Sequence, residues 1–417
     1  MLPPILEIFV VWHPDDERGA AISRAVFDHF MQGPTFSGVI GGGVHVSLRS
    51  CGWEGPCSAP RDIYSANHPG PNGIRPANFV AIVPLIGTEM AASVEDTGSE
   101  WYSFVSKILE IKKALPKTIG IFPYALDRGA SDGTVLGRML GSFQLIAASA
   151  SHTQHEDGHG MLCRDLTQGL TQLISPTEMD RLTVFISHTK RHSHDEGEDV
   201  DALVAIVRAV IRDTRLEEFF DASDLQPGAD WDKELRRKSA TSALLAIRTD
   251  LYASREWCQR EITIAKTNGM PVVMIDAIGV GEQRGSFLMD HVPRVAVRKS
   301  DSKWKHMDVY RALNLLVDEC LKRELWKHQK ELASERPELN VAWWAPHAPE
   351  PLTLSYWIDE YLAEPSTNGS DLDIRILHPD PPLGPEEKEF LLKYVGTTRL
   401  GRMIDIMTPR QLATRGG

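Results

Sequence analysis

Residues 242–278 read SALLAIRTDLYASREWCQREITIAKTNGMPVVMIDAI: an apolar run, a polar stretch, and a second apolar run. The two apolar runs are short, aliphatic and scarcely alternating, as strands covered on both faces must be. SREWCQREITIAKTN between them has the spacing of a helix with one apolar side. Strand, helix and strand in that order are one turn of a parallel sheet wrapped in helices.

Working outward, the same cycle continues on both sides. RLTVFISHT (181–189) reads as a strand and DVDALVAIVRAVIRDT (199–214) as an amphipathic helix. EEFFDASDLQPGADW (217–231) reads as a loop that opens another helix, and MDVYRALNLLVDECLKRELWKHQKEL (307–332) as a long closing helix. An earlier series has matching order and spacing. It runs through EIFVVW (7–12), ERGAAISRAVFDHFM (17–31), GVHVSLRS (43–50), NFVAIVPLI (78–86), SEWYSFVSKILEIKKAL (99–115), TIGIFPYAL (118–126) and a helical GTVLGRMLGSFQLIAAS (133–149). The fold class is therefore α/β with a duplication at domain scale, and the expected domains are 1–174, 181–335 and a small α/β tail over 340–417. In the tail, DIRILHPD reads as a strand and PEEKEFLLKYV as a helix begun by proline and two acids.

Composition removes several function classes. Forty-five basic against 57 acidic residues give a net charge of -12, the wrong sign for broad binding to a phosphate backbone. No apolar run approaches the roughly 20 residues of a membrane helix, and the N-terminal segment lacks a basic leader. Five scattered cysteines suit a reducing, cytoplasmic setting better than a disulfide scaffold or a zinc site.

Three segments of the second cycle, VFISHT, FFDASDLQPGADW and YASREWCQREITIA, resemble a TIR (Toll/interleukin-1 receptor) domain over about residues 181–330. They match, in order, the first strand and its exit, the BB loop, and the helix that carries a Trp-Cys pair with a glutamate four residues after the tryptophan. The resemblance implies two flavodoxin-like, TIR-type parallel-sheet domains in tandem, with NAD+ as substrate and no cofactor or metal. It implies cleavage of the nicotinamide–ribose bond, with Glu261 as the catalytic carboxylate. Substrate contacts would come from Ser187, His188, Phe220 and Trp257. Asp224, Leu225, Pro227 and Gly228 would gate the pocket and dock neighbouring subunits. Expected partners are copies of the same chain, as an oligomer or filament, and an upstream sensor, without direct contact to nucleic acid or membrane. The implied biology is defence of a bacterium against phage by NAD+ depletion or signalling.

Chemistry supports one carboxylate as sufficient. Nicotinamide departs neutral, so no general acid is needed, and a fixed negative charge beside the ribose stabilises the oxocarbenium-like transition state. In the first cycle Trp101 occupies the place of Trp257, but Val105 stands where the glutamate would be. That copy is expected to lack the activity.

Other readings stay open from the residues alone. Glu261 can be a solvated helix residue beside Arg260, and the domain a non-enzymatic adaptor. His192, His194 and Asp195 can be metal ligands or a solvated loop. HPDDE (13–17), with HEDGH (155–159), approximates the ligand set of a zinc-dependent sugar deacetylase.

Overall fold

The structure is a computed structural model. It describes residues 4–415 except 33–34, 37–42, 56–57, 65–76, 147–157, 176–181, 190–196, 215, 220–232, 234–241, 283, 335–338, 364–373, 399 and 401–403. The chain divides into two compact units, Met1–Pro176 and Thr177–Gly417.

In the first unit, β1 (Leu6–Val11), β2 (Val44–Arg49), β3 (Phe79–Ile86) and β4 (Ile119–Ile121) form a parallel sheet in the order β2-β1-β3-β4. A short β5 (Tyr124–Ala125) continues along β3, and Tyr124 makes one further parallel bridge with Ile146. β3 is apolar and buried from Val80 to Ile86 because helices cover both faces of the sheet. The helix Glu100–Ala114 begins where the Ser99 side chain accepts a hydrogen bond from the Tyr102 N–H at 3.0 Å, satisfying an otherwise unpaired donor.

Two expectations fail here. Among the described residues, the helix read over 133–149 exists only as Val135–Leu140, because the chain beyond Gly141 leaves to extend along the sheet, where the Ile146 N–H bonds the Pro123 carbonyl at 2.8 Å. The helix Gly158–Ile174, absent from the sequence reading, closes the unit.

Asp16 shows what the acidic cluster after β1 does. Its two carboxylate oxygens accept the backbone N–H groups of Glu89 and Met90 at 3.0 and 3.2 Å, capping the helix Thr88–Glu95 from across the fold. Gly87 is required for that approach, since a Cβ there would lie 2.2 Å from the Asp16 carboxyl carbon. Asp16→Ala should cost about 1–2 kcal/mol, read as a lower urea midpoint with unchanged slope. A change below about 0.3 kcal/mol would contradict the assigned role.

The second unit repeats the topology. β6 (Thr183–Ser187), β7 (Glu217–Phe219), β8 (Ser242–Arg248), β9 (Val272–Asp276) and β10 (Arg294–Ala296) are all parallel, in the order β7-β6-β8-β9-β10. Numbered within each unit, the strands run 2-1-3-4 in the first and 2-1-3-4-5 in the second, the flavodoxin-like arrangement. A hairpin of β11 (Lys299–Ser300) and β12 (Lys303–Trp304) precedes the helix His306–Ser334. The tail is a second parallel sheet of β13 (Val341–Trp344), β14 (Ile374–Leu377) and β15 (Ile404–Met407), with helices Pro351–Ala363, Pro385–Gly396 and Pro409–Arg415. Only β14 and the helix at Pro385 were expected from sequence.

Candidate functional site

β6, β8 and the helix Glu256–Thr267 bring the predicted residues to the carboxyl edge of the second sheet. Ser187 is the last residue of β6 and is fully buried. β8 leads through a single 3-10 turn, Tyr252–Ser254, into the helix. Cys258 and Ile262 anchor that helix in a core shared with Phe185, Leu244 and Met274. A Schellman arrangement ends it. The Gly269 and Met270 N–H groups return to the Lys266 and Ala265 carbonyls, and Gly269 takes φ +62.

Glu261 is not on a solvated helix face. It is 3% exposed, which overturns the bland reading of that residue, and the Ser187 hydroxyl donates to its carboxylate at 2.5 Å. The Tyr252 hydroxyl lies 2.6 Å from the same Ser187 oxygen. A serine hydroxyl has one proton to give, so Tyr252 donates to Ser187 and Ser187 donates to Glu261. Burial, with Cys258 and Glu261 nearby, holds the Tyr252 hydroxyl well above its ordinary pKa. It therefore stays a donor at neutral pH, at the head of a hydrogen-bond chain that ends on the Glu261 carboxylate.

Around this core, His188 is half-buried and its Nδ1 lies 3.1 Å from the Thr189 carbonyl. The hydroxyls of Thr189 and Thr249, at the exits of β6 and β8, are 3.4 Å apart. Trp257 is 39% exposed, with the Arg260 guanidinium 5.9 Å from its ring centre. Sequence reasoning missed Tyr252. The available signal was a tyrosine opening the turn between a buried strand and the Trp-Cys helix. Phe220 and the loop residues Asp224, Leu225, Pro227 and Gly228 lie outside the described residues, as do His192, His194 and Asp195.

Cys258 is buried, and its thiol faces the His188 carbonyl at 3.8 Å. Cys320 is buried on the long helix, where desolvation pushes its thiol up to about 12. Native protein at pH 8 should therefore react with a thiol reagent at half-buried Cys51 while Cys258 and Cys320 stay unlabelled, as mass spectrometry of the labelled peptides would show. Fast labelling of Cys320 without unfolding would contradict that burial.

In the first unit the place of Glu261 on the matching helix is taken by Val105. Val105 sits in an apolar cluster with Trp101 and Phe104, and the His13 ring packs 5.2 Å from Trp101. Both Asp16 oxygens serve the helix cap, while His13 and Asp15, the pair that the zinc reading takes as ligands, stand 3.8 Å apart, ring Nδ1 to carboxylate. Residues 155–157 of HEDGH lie outside the described residues.

A model of the TIR domain family matches residues 184–305. The chain carries a TIR domain. The match covers β6 through β12, and so includes Ser187, Tyr252 and Glu261. A search of curated proteins gives no match. Among solved structures, tagatose-6-phosphate ketose/aldose isomerase from Escherichia coli is similar at 12% identity, over 78% of this chain and 82% of that one. Its TM-score is 0.19, too low to bear on fold or function. Among the described residues, no helix is long and apolar enough to cross a membrane.

Proposed function

We propose that the TIR domain is an NAD+ nucleosidase that breaks the nicotinamide–ribose bond. The observation that carries the reading is the Glu261 carboxylate, buried and oriented by Ser187 at the carboxyl edge of a parallel sheet, where open α/β sheets bind ligands. A carboxylate kept out of water and fixed by a hydrogen bond needs no reorganisation to stabilise positive charge on a ribose.

In the proposed reaction the C1′–N bond breaks with its electron pair passing to the pyridinium nitrogen, so nicotinamide leaves neutral. Water then adds to C1′ and loses its proton to solvent, or the adenine of the same molecule adds and gives a cyclic product. Glu261 faces the oxocarbenium-like ribose. Ser187, expected from sequence as a substrate contact, acts instead with Tyr252 to hold Glu261, while His188, Trp257 and Phe220 bound the substrate. The loop containing Asp224, Leu225, Pro227 and Gly228 gates the site and docks a neighbouring copy, so activity belongs to an oligomer or filament. Cytoplasmic NAD+ depletion or signalling in phage defence, triggered by an upstream sensor, is the biology consistent with such an enzyme. The first unit, with Val105 in the equivalent place, is a TIR-like copy without the chemistry.

An adaptor acting through contacts alone is the second reading, and it has no use for a hydrogen-bonded buried carboxylate. The two separate on incubation with NAD+ while free nicotinamide is followed across protein concentration. A rate per protomer that rises with concentration supports an assembly-dependent enzyme. Absence of nicotinamide even after forced assembly supports the adaptor.

A further inference from the structure

The second unit holds a cavity of about 430 Å³ lined by the end of the Glu261 helix, the long helix and the tail. Four of the chain's ten tryptophans line it: Trp326, Trp343, Trp344 and Trp357. Trp343 and Trp357 stack in parallel at 5.2 Å, and Trp326 packs 5.2 Å from Trp344. Trp343 and Trp344 are only half-buried, so aromatic surface remains at the cavity wall.

Lysines 266, 327 and 330 and Arg323 also line the cavity, against one acidic lining residue, Glu360. Lys266, Lys327 and Arg323 already pair with Glu350 or Glu324. Lys330 is exposed, with no acceptor among the described residues. His347, whose pKa burial lowers, is a neutral wall at pH 7.

We infer that this cavity binds a nucleoside monophosphate or a close relative, a flat heteroaromatic base carrying one phosphate. The volume lies toward the small end of the roughly 300–1,000 Å³ typical of ligand sites, which suits a mononucleotide better than a dinucleotide. The half-buried tryptophans offer stacking faces for the base. Lys330 meets the phosphate. The site is separate from Glu261 and does not depend on NAD+ cleavage.

The test titrates the full chain with adenosine monophosphate, reading intrinsic tryptophan fluorescence with calorimetry in parallel. Saturable quenching below about 1 mM, weakened about tenfold or more by Lys330→Glu and again by Trp344→Leu, is the expected result. Adenosine should bind at least about tenfold more weakly than its monophosphate. Lys330 is exposed and has no acceptor among the described residues, so Lys330→Glu should fold normally, with circular dichroism as the check. No saturable signal, an affinity unchanged by Lys330→Glu, or adenosine binding as tightly as the monophosphate would each overturn the assignment.

Discussion

Glu261→Ala is expected to slow nicotinamide release from NAD+ on the order of 10²–10³-fold, a loss of about 3–4 kcal/mol of transition-state stabilisation. The loss should fall on kcat rather than KM, because the carboxylate acts on charge that develops only as the bond breaks. Glu261→Gln sharpens the point. Its amide oxygen can still accept the Ser187 hydroxyl, so packing and the Tyr252–Ser187 chain survive while the charge is gone. A folded glutamine variant as slow as the alanine variant is the expected outcome. A glutamine variant with near-normal kcat would mean that Glu261 holds the fold together and does no chemistry.

The second large effect concerns stability. Lys266, on the Glu261 helix, donates to Glu350 at 2.9 Å and to the Asp290 carbonyl at 2.6 Å, with both side chains of the ion pair at least nine-tenths buried. Removing one partner of such a pair strands the other charge, so Glu350→Ala should cost about 3 kcal/mol. The pH dependence has a definite sign. Burial already lowers the Lys266 pKa below its usual 10.5, and Glu350 opposes that shift. Without Glu350 the folded-state value falls further, and between it and 10.5 the unfolded chain binds more protons than the folded one. Stability of the variant should therefore rise with pH across that window. Denaturant midpoints from pH 7 to 10 should converge on wild type. A penalty constant with pH would place the loss in packing instead of charge.

Most strands of the two larger sheets were legible because they are continuous buried runs, whereas Glu217–Phe219, read as loop, and the largely exposed Arg294–Ala296 were missed. LEIFVV, FVAIVPLI and SALLAIR can sit only where both faces are covered. Two strands of the tail, VAWW and IDIM, were not legible. The helix over 133–149 was misread. Ile146 continues the apolar pattern of that segment, but sheet-edge pairing with Tyr124 and Pro123 competes for it and wins. At the site, the position of Glu261 came from the spacing to Trp257. Its burial and the Tyr252 hydroxyl depend on strand order, which no local pattern encodes. Asp16 was readable as a residue that favours a helix start, but the helix it caps lies more than 70 residues away in sequence.

The most direct measurement is free nicotinamide produced from NAD+ by wild-type protein and by Glu261→Gln, side by side at matched concentration under assembling conditions. Nicotinamide appearing one-for-one with NAD+ loss in the wild type, and on the order of a hundredfold more slowly in the variant, is the result predicted. Equal turnover by the two proteins would contradict the mechanism at its centre.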